Sequence, residues 1–495
     1  MSGERAETLV KGGLVVSGGG LERADVLIAE GRVQEVAPDL PAGRARRVIS
    51  AEGKYVLPGG IDSHAHPIFA DKMDTYSICA AHGGVTTIAA FIGSETHRHE
   101  LFGNAWGLRK YNPDIVKGFI EYAEKTSYTD FTIHGLLTIR DQDDVDSVVR
   151  DLVRLGVISF KMFMTWNPLV REAPVNLVAI PDEMMIRVMA RAAAEGGMAM
   201  VHAENGCCKA YLEQRLRAEA HVSVEYHLPS APNLLEAEAV NRAATMGLIT
   251  ECPVYPVHLS TSEVLPVLSQ YRDRGLTIYG ETCPHYLTLT NSDMLARGYS
   301  LKVSPPLRSS EDREAMWRGV AQGSFYTIGS DFTGYTRTLK LTGRIEGEAV
   351  EPERGAENIF EIANGLSTLE FMMPVVWSYG VNRGRITIPR FVELFCENPA
   401  KIFGIYPRKG SLQPGADADL VIWDQTKPHL VEKEHGKSDL VTFHGMQLLG
   451  MPVMTMVRGM IVMDNGSLIG RPGAGKFVPR NPNRAAYAPG GPAVR

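Results

Sequence analysis

Two histidines separated by a single residue, His64 and His66, stand in the segment YVLPGGIDSHAHP at the end of a strand-like run. Side chains alternate between the two faces of a β-strand, so both imidazoles point to the same side. Neutral imidazole is a preferred ligand of zinc and of its first-row neighbours. The pair can therefore hold one metal ion, although a lone His-x-His motif is weak evidence because many histidines simply pack in protein cores.

Four further residues with the chemistry of metal ligands follow along the chain, in apolar, strand-like segments. Lys161 interrupts GVISFKMFM, His202 follows MAMV, His258 follows VYPV, and Asp331 lies in FYTIGSDF. A buried, unpaired ammonium is costly, so Lys161 should shift its pKa or be chemically changed. A neutral lysine amine can react with carbon dioxide to give a carbamate, an anionic ligand able to bridge two metals. The alternative is a lysine that pairs with a carboxylate or extends to solvent.

The remaining residues of this set predict a second ion and a base. His202 and His258 are the candidate ligands of the second ion, although either alone is more often a hydrogen-bonded core histidine. Asp331 can bind metal and also act as a general base, the alternative being a capping aspartate after a strand. Two divalent ions would outweigh the negative charges of a carbamate, Asp331 and a hydroxide. The site would then keep a positive charge that polarises a carbonyl, as in a two-metal hydrolase.

Strands and helices that alternate along the middle of the chain must position these residues. Between residues 58 and 405, strand-like runs such as VTTIAAFIG and DFTIHGLLTI alternate with helical stretches such as 182–195 and 234–247. This pattern predicts a parallel α/β structure, and a closed TIM-like (β/α)8 barrel fits the length. Catalytic residues of such barrels sit at the carboxyl ends of strands, which is where the polar residues fall.

Both chain ends have a different character from the middle. Residues 1–57 and 406–475 read as short strands with turns, and LVKGGLVVSGGG near the start resembles MVRGMIVMDNG near the end. We therefore predict one small β-sandwich domain built from both ends, with residues 58–405 forming the barrel domain. Residues 476–495 are rich in Pro, Gly and Arg, which predicts a C-terminal tail.

The composition of the 495 residues excludes several classes of protein. Hydrophobic residues make up 44% and charged residues 22%, as in soluble globular proteins. A net charge of −6 predicts neither nucleic acid nor membrane as a partner. The six cysteines form no CxxC pair, no apolar signal core begins the sequence, and no run of about 18 apolar residues could span a bilayer. These features predict a cytoplasmic protein with a small-molecule partner.

Longer stretches are typical of one family: PGGIDSHAHP, AAHGGVTTIAAF, SFKMFM, VHAENG, ETCPHYL, SPPLR, GSD and ENPAKIFGIYPRKGSLQPGADADLVIWD. Through them the chain resembles, over nearly its whole length, the dihydropyrimidinase/hydantoinase branch of the cyclic amidohydrolases, within the amidohydrolase superfamily. The resemblance implies a TIM barrel with a β-sandwich, two divalent metal ions per subunit, most commonly Zn²⁺, and a homotetramer (or a dimer).

The same resemblance implies a role for each site residue. Lys161 would be carboxylated by carbon dioxide and would bridge the metals, with one ion held by His64, His66 and Asp331 and the other by His202 and His258. Backbone groups at Ser304, in KVSPPLR, and Asn364, in IANG, would hold a cyclic amide or imide. A metal-bridging hydroxide would attack the ring carbonyl, and Asp331 would take its proton and return it to the leaving nitrogen.

The chain departs from the family pattern at two positions that face the substrate or the metals. Family members that open dihydropyrimidines carry a tyrosine five residues after the bridging lysine, where this chain has Trp166. Its indole N–H can donate one hydrogen bond but is larger and differently placed. Phe332 stands where many relatives have a histidine after the metal-binding aspartate. Dihydrouracil is therefore a doubtful substrate, whereas the reaction class is unaffected.

Alternatives to this hydrolase are an allantoinase-like or dihydroorotase-like enzyme on the same barrel and a non-catalytic scaffold. The strings HAENG, ETCPHYL and SPPLR favour the hydantoinase branch, although Trp166 keeps the other two enzymes open. The scaffold hypothesis follows from the collapsin response mediator proteins, which resemble this family but have lost metal ligands. All six ligand positions are intact in this chain, which argues against it.

Overall fold

The computed structural model describes residues 5–93, 113–165, 179–342 and 357–482. Its strands form a nine-stranded, mostly antiparallel sheet, a six-stranded parallel sheet and a two-stranded parallel sheet. The strands are, in chain order, β1 (Ala6–Ser17), β2 (Gly20–Ala29), β3 (Arg32–Ala37), β4 (Ala45–Ser50), β5 (Tyr55–Pro58), β6 (Gly60–Ala65), β7 (Val85–Gly93), β8 (Asp130–Leu136), β9 (Ser159–Phe163), β10 (Met198–His202), β11 (Val254–Pro256), β12 (Gly280–Thr282), β13 (Phe325–Ile328), β14 (Leu420–Leu430), β15 (Gln447–Val457), β16 (Met460–Asp464) and β17 (Ser467–Leu468).

Helices connect the parallel strands and follow the last of them. They are, in chain order, α1 (Met73–Gly83), α2 (Pro113–Thr126), α3 (Val145–Arg154), α4 (Asp182–Ala194), α5 (Gly206–Ala218), α6 (His227–Ser230), α7 (Asn233–Thr250), α8 (Val264–Asp273), α9 (Pro284–Thr288), α10 (Asn291–Arg297), α11 (Ser310–Gln322), α12 (Arg337–Thr342), α13 (Met372–Val376), α14 (Ile388–Val392) and α15 (Asn398–Ile402). No helix among the described residues is both long enough and apolar enough to cross a membrane.

The nine-stranded sheet joins the two ends of the chain. Its strand order is β17-β16-β15-β14-β5-β1-β2-β3, with β4 paired to β1. The junction is the antiparallel pair β5–β14, in which Val56 lies opposite Ile422. Apolar side chains from both ends share one core, in which Val26 packs with Val56 and Ile422. The β-rich segments predicted at either end of the chain are therefore parts of one sheet.

The middle of the chain has the predicted parallel α/β architecture. The six-stranded sheet runs in the order β11-β10-β9-β8-β7-β6, and β12 pairs with β13. Isolated parallel bridges join Val254 to Ile278 and Ala65 to Phe332. They connect β11 to the segment before β12 and β6 to the segment after β13. Strands β7 and β8 are buried along their whole length, as expected for parallel strands covered on both faces.

The described part of the C-terminal tail packs against the parallel unit. The backbone N–H of Phe131 donates to the carbonyl of Lys476, and Val478 donates back to Phe131. Arg480 is fully buried, and its side chain donates to the carbonyl of Ile133. Because Phe131 begins β8, this segment lies at the amino-terminal end of the parallel strands. Residues 483–495 of the predicted tail lie outside the described residues.

One buried lysine fastens the two parts of the molecule together. The ammonium of Lys409 is buried and contacts the carboxylate of Asp130 at the start of β8. It also lies 3.1 Å from Asp417 and 2.6 Å from Asp419, just before β14. Three carboxylates that converge on one site repel each other unless a cation lies between them. Lys409 therefore holds the sheet of the chain ends against the parallel unit.

Replacing this lysine should destabilise the protein strongly. We expect Lys409→Met to lower the apparent free energy of unfolding by about 3–5 kcal/mol. The substitution removes the cation that three buried carboxylates share, and Arg458 and Arg408 remain to pair with Asp130 and Asp417 only. Urea denaturation followed by circular dichroism measures the change. The matched control is Lys125→Met, at an exposed lysine, which should leave the midpoint unchanged. Equal midpoints for Lys409→Met and the wild type would contradict this account.

Candidate metal centre

The structure brings His64, His66 and Asp331 together at one end of the parallel strands. His64 is in β6, His66 follows it, and Asp331 follows β13. Their ligand atoms all lie within 4.8 Å of one another. The Nε2 atom of His64 lies 3.2 Å from Nε2 of His66 and 3.2 Å from Oδ1 of Asp331. Two imidazoles and a carboxylate this close are a suitable donor set for a divalent cation.

Close approach of β13 to β6 places Asp331 in this group. The backbone N–H of Asp331 donates to the carbonyl of His64 over 3.0 Å. Gly329 makes the approach possible, because a Cβ there would lie 2.7 Å from the Cβ of His64. Asp331 itself has a φ of +48°, and His258 a φ of +41°. Non-glycine residues in this left-handed region are uncommon and often occur at functional sites.

The other three predicted residues lie beside this group. Lys161 is in the middle of β9, His202 ends β10, and His258 follows β11. The ring of His258 lies 4.5 Å from that of His202 and 5.2 Å from that of His64, measured between centroids. The Nζ atom of Lys161 lies 4.7 Å from the centre of the Phe91 ring, and that ring stacks on His66. All six residues thus meet in one buried region.

Burial keeps most of these histidines in the form that binds metals. Loss of hydration lowers the pKa of His66 to about 4 and that of His202 to about 4. It holds the pKa of His258 well below its ordinary value, and the positive charge of Lys161 acts in the same direction. Neutral imidazole is the form that offers a lone pair to a metal ion. Within the described residues, Nδ1 of His258 is buried and has no hydrogen-bond partner.

Asp331 carries the negative charge of the group. Burial by itself would raise its pKa, but His64 and His66 hold that pKa well below its ordinary value. For His64, burial and Lys161 lower the pKa, and the carboxylates of Glu281 and Asp331 more than offset them and raise it. Asp331 is therefore ionised throughout the neutral pH range, as a metal ligand or a general base must be.

The sequence analysis missed Glu281, a fully buried carboxylate beneath the centre. Glu281 accepts a hydrogen bond from Nδ1 of His64 over 2.7 Å and one from the backbone N–H of His258 over 3.1 Å. It also accepts from the hydroxyl of Tyr255 over 2.8 Å. A carboxylate that takes the outer N–H of a ligand histidine fixes the ring and strengthens its lone pair. The available signal was a glutamate inside the strand-like run GLTIYGETCP.

A second missed carboxylate, Glu204, contacts the other type of ring nitrogen, Nε2, on His202. It lies 2.7 Å from Nε2 of His202 and 3.1 Å from the ammonium of Lys209. Burial would raise the pKa of Glu204, but Lys209 and His202 hold it well below its ordinary value. The hydroxyl of Ser304 donates to the same carboxylate over 2.6 Å. Glu204 thus connects a candidate metal ligand with a candidate substrate contact.

The predicted substrate contacts fall into two groups. Ser304 lies beside Glu204, and the segment of Asn364 runs beside Asp331, because Leu366 forms a parallel bridge with Phe332. Phe332 is fully buried and packs edge-on against the ring of Tyr76, so it fills core space next to the centre. Trp166 lies outside the described residues.

Comparisons with known proteins agree with this geometry. A model of the amidohydrolase family matches residues 55–462, and the chain belongs to this family. It is 32% identical to a D-hydantoinase of Ralstonia pickettii, over 96% of the chain and 99% of the relative. An L-hydantoinase of Paenarthrobacter aurescens is 30% identical to this chain, over 96% of the chain and 98% of the relative.

Solved structures show the same similarity. A D-hydantoinase structure matches with a TM-score of 0.85 and 32% identity, over 96% of this chain and 99% of the other. A dihydropyrimidinase structure from Brevibacillus agri matches with a TM-score of 0.85 and 29% identity, over 96% of this chain and 98% of the other.

Replacement of the buried glutamate tests its role in holding metal. We expect Glu281→Gln to weaken retention of divalent metal by about 10- to 100-fold, because a neutral amide polarises the histidines less. Competition with a zinc chelator measures this without any assay of activity. Glu370→Gln, at a buried glutamate paired with His435, is the control and should retain metal like the wild type. Unchanged retention in Glu281→Gln would contradict the assignment.

Proposed function

We propose that this chain is a binuclear metal-dependent hydrolase that opens a cyclic amide or imide ring of the hydantoin or dihydropyrimidine type. The observation that carries the proposal is the convergence of two histidines and an aspartate within 4.8 Å. Lys161, His202 and His258 lie directly beside them. The named relatives, which include both D- and L-hydantoinases, support this class of ring. Because both D- and L-hydantoinases occur among these relatives, the relatives indicate no stereochemical preference for this chain.

The donor set fits two divalent ions, and Zn²⁺ suits it best. His64, His66 and Asp331 would hold one ion and His202 and His258 the other. When bound, such ions polarise a carbonyl and lower the pKa of a water molecule.

Lys161 would serve as the bridging ligand in carboxylated form. Its Nζ atom lies between the rings of Phe91 and Phe163, at 4.7 and 5.0 Å from their centres. In carboxylation the neutral amine forms a bond to the carbon of carbon dioxide and releases one proton. The product replaces an amine with an anionic carboxylate that has two donor oxygens. A buried centre built from neutral histidines gains charge balance from this anion.

Asp331 would move the proton during ring opening. Hydrolysis joins the oxygen of water to the ring carbonyl carbon, breaks the bond from that carbon to the ring nitrogen and delivers a proton to the nitrogen. The carboxylate of Asp331 is ionised, because His64 and His66 hold its pKa below the ordinary value, and its oxygens can accept the proton of the attacking water. The same carboxyl then gives this proton to the leaving nitrogen. Backbone groups at Ser304 and Asn364 would hold the ring, and Trp166, which takes the place of the family tyrosine, is proposed as a further substrate contact.

The topology supports the rest of the predicted architecture. We propose that β6 to β13 close a TIM-like barrel in residues 58–405, because the bridges Val254–Ile278 and Ala65–Phe332 connect its two sheets at both edges. We also propose that residues 1–57 and 406–475 form a β-sandwich around their shared core.

Assembly and location are proposals of the same kind. A homotetramer follows from the family and can be measured by light scattering. A cytoplasmic location is supported by the six cysteines, which are few and scattered and form no CxxC pair. The allantoinase-like, dihydroorotase-like and scaffold alternatives gain no support from the named relatives.

The first test is ring opening by the zinc-loaded protein. We expect hydrolysis of hydantoin or a 5-aryl hydantoin, and loss of that activity when a chelator removes the metal. Dihydrouracil, succinimide, allantoin and dihydroorotate complete the panel, and ring opening is followed by loss of ultraviolet absorbance. Hydrolysis of allantoin or dihydroorotate alone would contradict the substrate class. Protein that binds no metal and opens no ring would support the scaffold alternative.

The bridging role of Lys161 has a separate test. We expect Lys161→Ala to lose tight binding of the metal pair, because neither a carbamate nor an amine remains between the two ligand groups. Metal content after gel filtration, measured by mass spectrometry, gives the result. A variant that retains two ions per subunit would exclude a bridging carbamate.

The effect of Trp166 on substrate choice can be tested with dihydrouracil, because family members that open dihydropyrimidines carry a tyrosine at this position. We expect Trp166→Tyr to raise kcat/KM for dihydrouracil, because loss of one oxyanion donor costs about 2.7–4 kcal/mol. Trp166→Phe is the matched control, because phenylalanine has a ring of the same size as tyrosine but no hydroxyl. An equal gain in both variants would assign the effect to pocket shape.

A further inference from the structure

Two chain segments carry the candidate substrate contacts, and they are hydrogen-bonded to each other. Lys302–Ser304 contains Ser304, and Ile362–Gly365 contains Asn364. The backbone N–H of Gly365 donates to the carbonyl of Lys302 over 3.0 Å. We call these two segments together the substrate wall. Neither belongs to a strand, so other contacts must fix their position.

Three buried lysines from different elements supply those contacts: Lys209 of α5, Lys302 of the wall itself and Lys340 of α12, here called the lysine brace. The amine of Lys340 donates to the carbonyl of Lys302 over 2.9 Å and also to that of Gly365. The amine of Lys302 donates to the carbonyl of Ile362. Lys209 donates to the hydroxyl of Ser304 over 2.7 Å. Each lysine therefore bonds directly to the substrate wall.

The substrate wall is also connected to both halves of the candidate metal centre. On one side, Ser304 and Lys209 bond to Glu204, which bonds to His202. On the other side, Thr333, two residues after Asp331, donates its N–H to the carbonyl of Leu366 over 3.0 Å. Displacement of the wall would consequently move the substrate contacts relative to the reacting groups.

Burial of three amines near one another needs an explanation. Lys209 pairs with the carboxylate of Glu204, and the negative charge of Glu213 acts on Lys302. Burial lowers the pKa of Lys302 to about 7 and holds that of Lys340 well below its ordinary value. A neutral amine still donates hydrogen bonds to carbonyl oxygens, so these contacts persist in either protonation state. A methionine or leucine would fill the same space without the cost of desolvation.

We propose that Lys209, Lys302 and Lys340 are positioning residues for ring opening, which hold Ser304 and Asn364 in register with the metal centre. This role rests on the proposed function, because it assumes that the wall binds the ring. Asn364 agrees with it, since its Oδ1 is buried and has no hydrogen-bond partner among the described residues. Such an acceptor can receive an N–H of a cyclic amide, in addition to the contacts made by the backbone groups of Ser304 and Asn364.

The test compares Lys340→Met with Lys409→Met in the zinc-loaded, full-length protein, with hydantoin as substrate. Both remove a buried amine, but Lys409 bonds to Asp130 and Asp419, at the junction of the sheet and the parallel unit. We expect Lys340→Met to raise KM by about 10- to 100-fold, because small displacements of binding groups are costly. Its metal content should equal that of the wild type. Lys340→Gln, which keeps N–H donors without adding a buried charge, should recover part of the loss.

Lys209→Met should give a different pattern. It should raise KM and also weaken metal retention, because Glu204 contacts His202 as well as Lys209. Lys409→Met should keep the wild-type KM while lowering stability. If Lys340→Met and Lys209→Met both lower stability and leave KM within about twofold of the wild type, the brace is purely structural and the proposal is wrong.

Hydrogen exchange makes the result independent of activity. We expect Lys340→Met to speed amide exchange in peptides that contain Lys302–Ser304 and Ile362–Gly365 more than in the rest of the protein. Lys409→Met, which destabilises the whole protein, should show no such local excess. Unchanged amide exchange of these peptides in Lys340→Met would contradict the positioning role proposed for the lysine brace. Wild-type protein that binds metal but does not open hydantoin would instead contradict the proposed function, whatever the exchange shows.

Discussion

Burial of polar groups at the carboxyl ends of the parallel strands is the constraint on which the rest of this molecule depends. Imidazoles, carboxylates and amines are removed from water there, and each removal is costly unless a partner compensates it. Glu281 is central because one carboxylate accepts hydrogen bonds from both His64 and the backbone of His258. It joins the first strand of the parallel unit to the segment after β11, so the geometry of the centre and the arrangement of the strands are fixed together.

The same constraint explains how charge is distributed around the centre. Histidines that burial keeps neutral lie next to an aspartate that stays ionised, and each group of histidines has a carboxylate behind it. Glu281 serves His64, and Glu204 serves His202. At His64 this arrangement concentrates electron density on Nε2, the nitrogen that faces the centre. The substrate wall continues the pattern, because its backbone carbonyls are held by buried amines instead of by strand pairing.

The sequence predicted those parts of the structure that have local signals. The run VTTIAAFIG coincides with β7, and the helical stretch 182–195 with α4, because hydrophobic periodicity is a property of neighbouring residues. The polar ligands were recognisable because each interrupts or ends an apolar run. Glu281 was missed although it obeys the same rule, because its importance lies in contacts with residues more than 200 positions earlier, such as His64. The predicted strand PVYPVHLS is shorter than expected, since the chain turns at His258 with a positive φ.

The position of the C-terminal segment has a practical consequence for immobilised catalysts. Residues 476–480 are fastened to the start of β8, at the end of the parallel strands away from His202 and Asp331. A surface linker attached to the exposed side chain of Lys476 would therefore pull on the face opposite the candidate metal centre. The mechanical load would fall on a segment that the parallel unit already holds through Phe131 and Arg480.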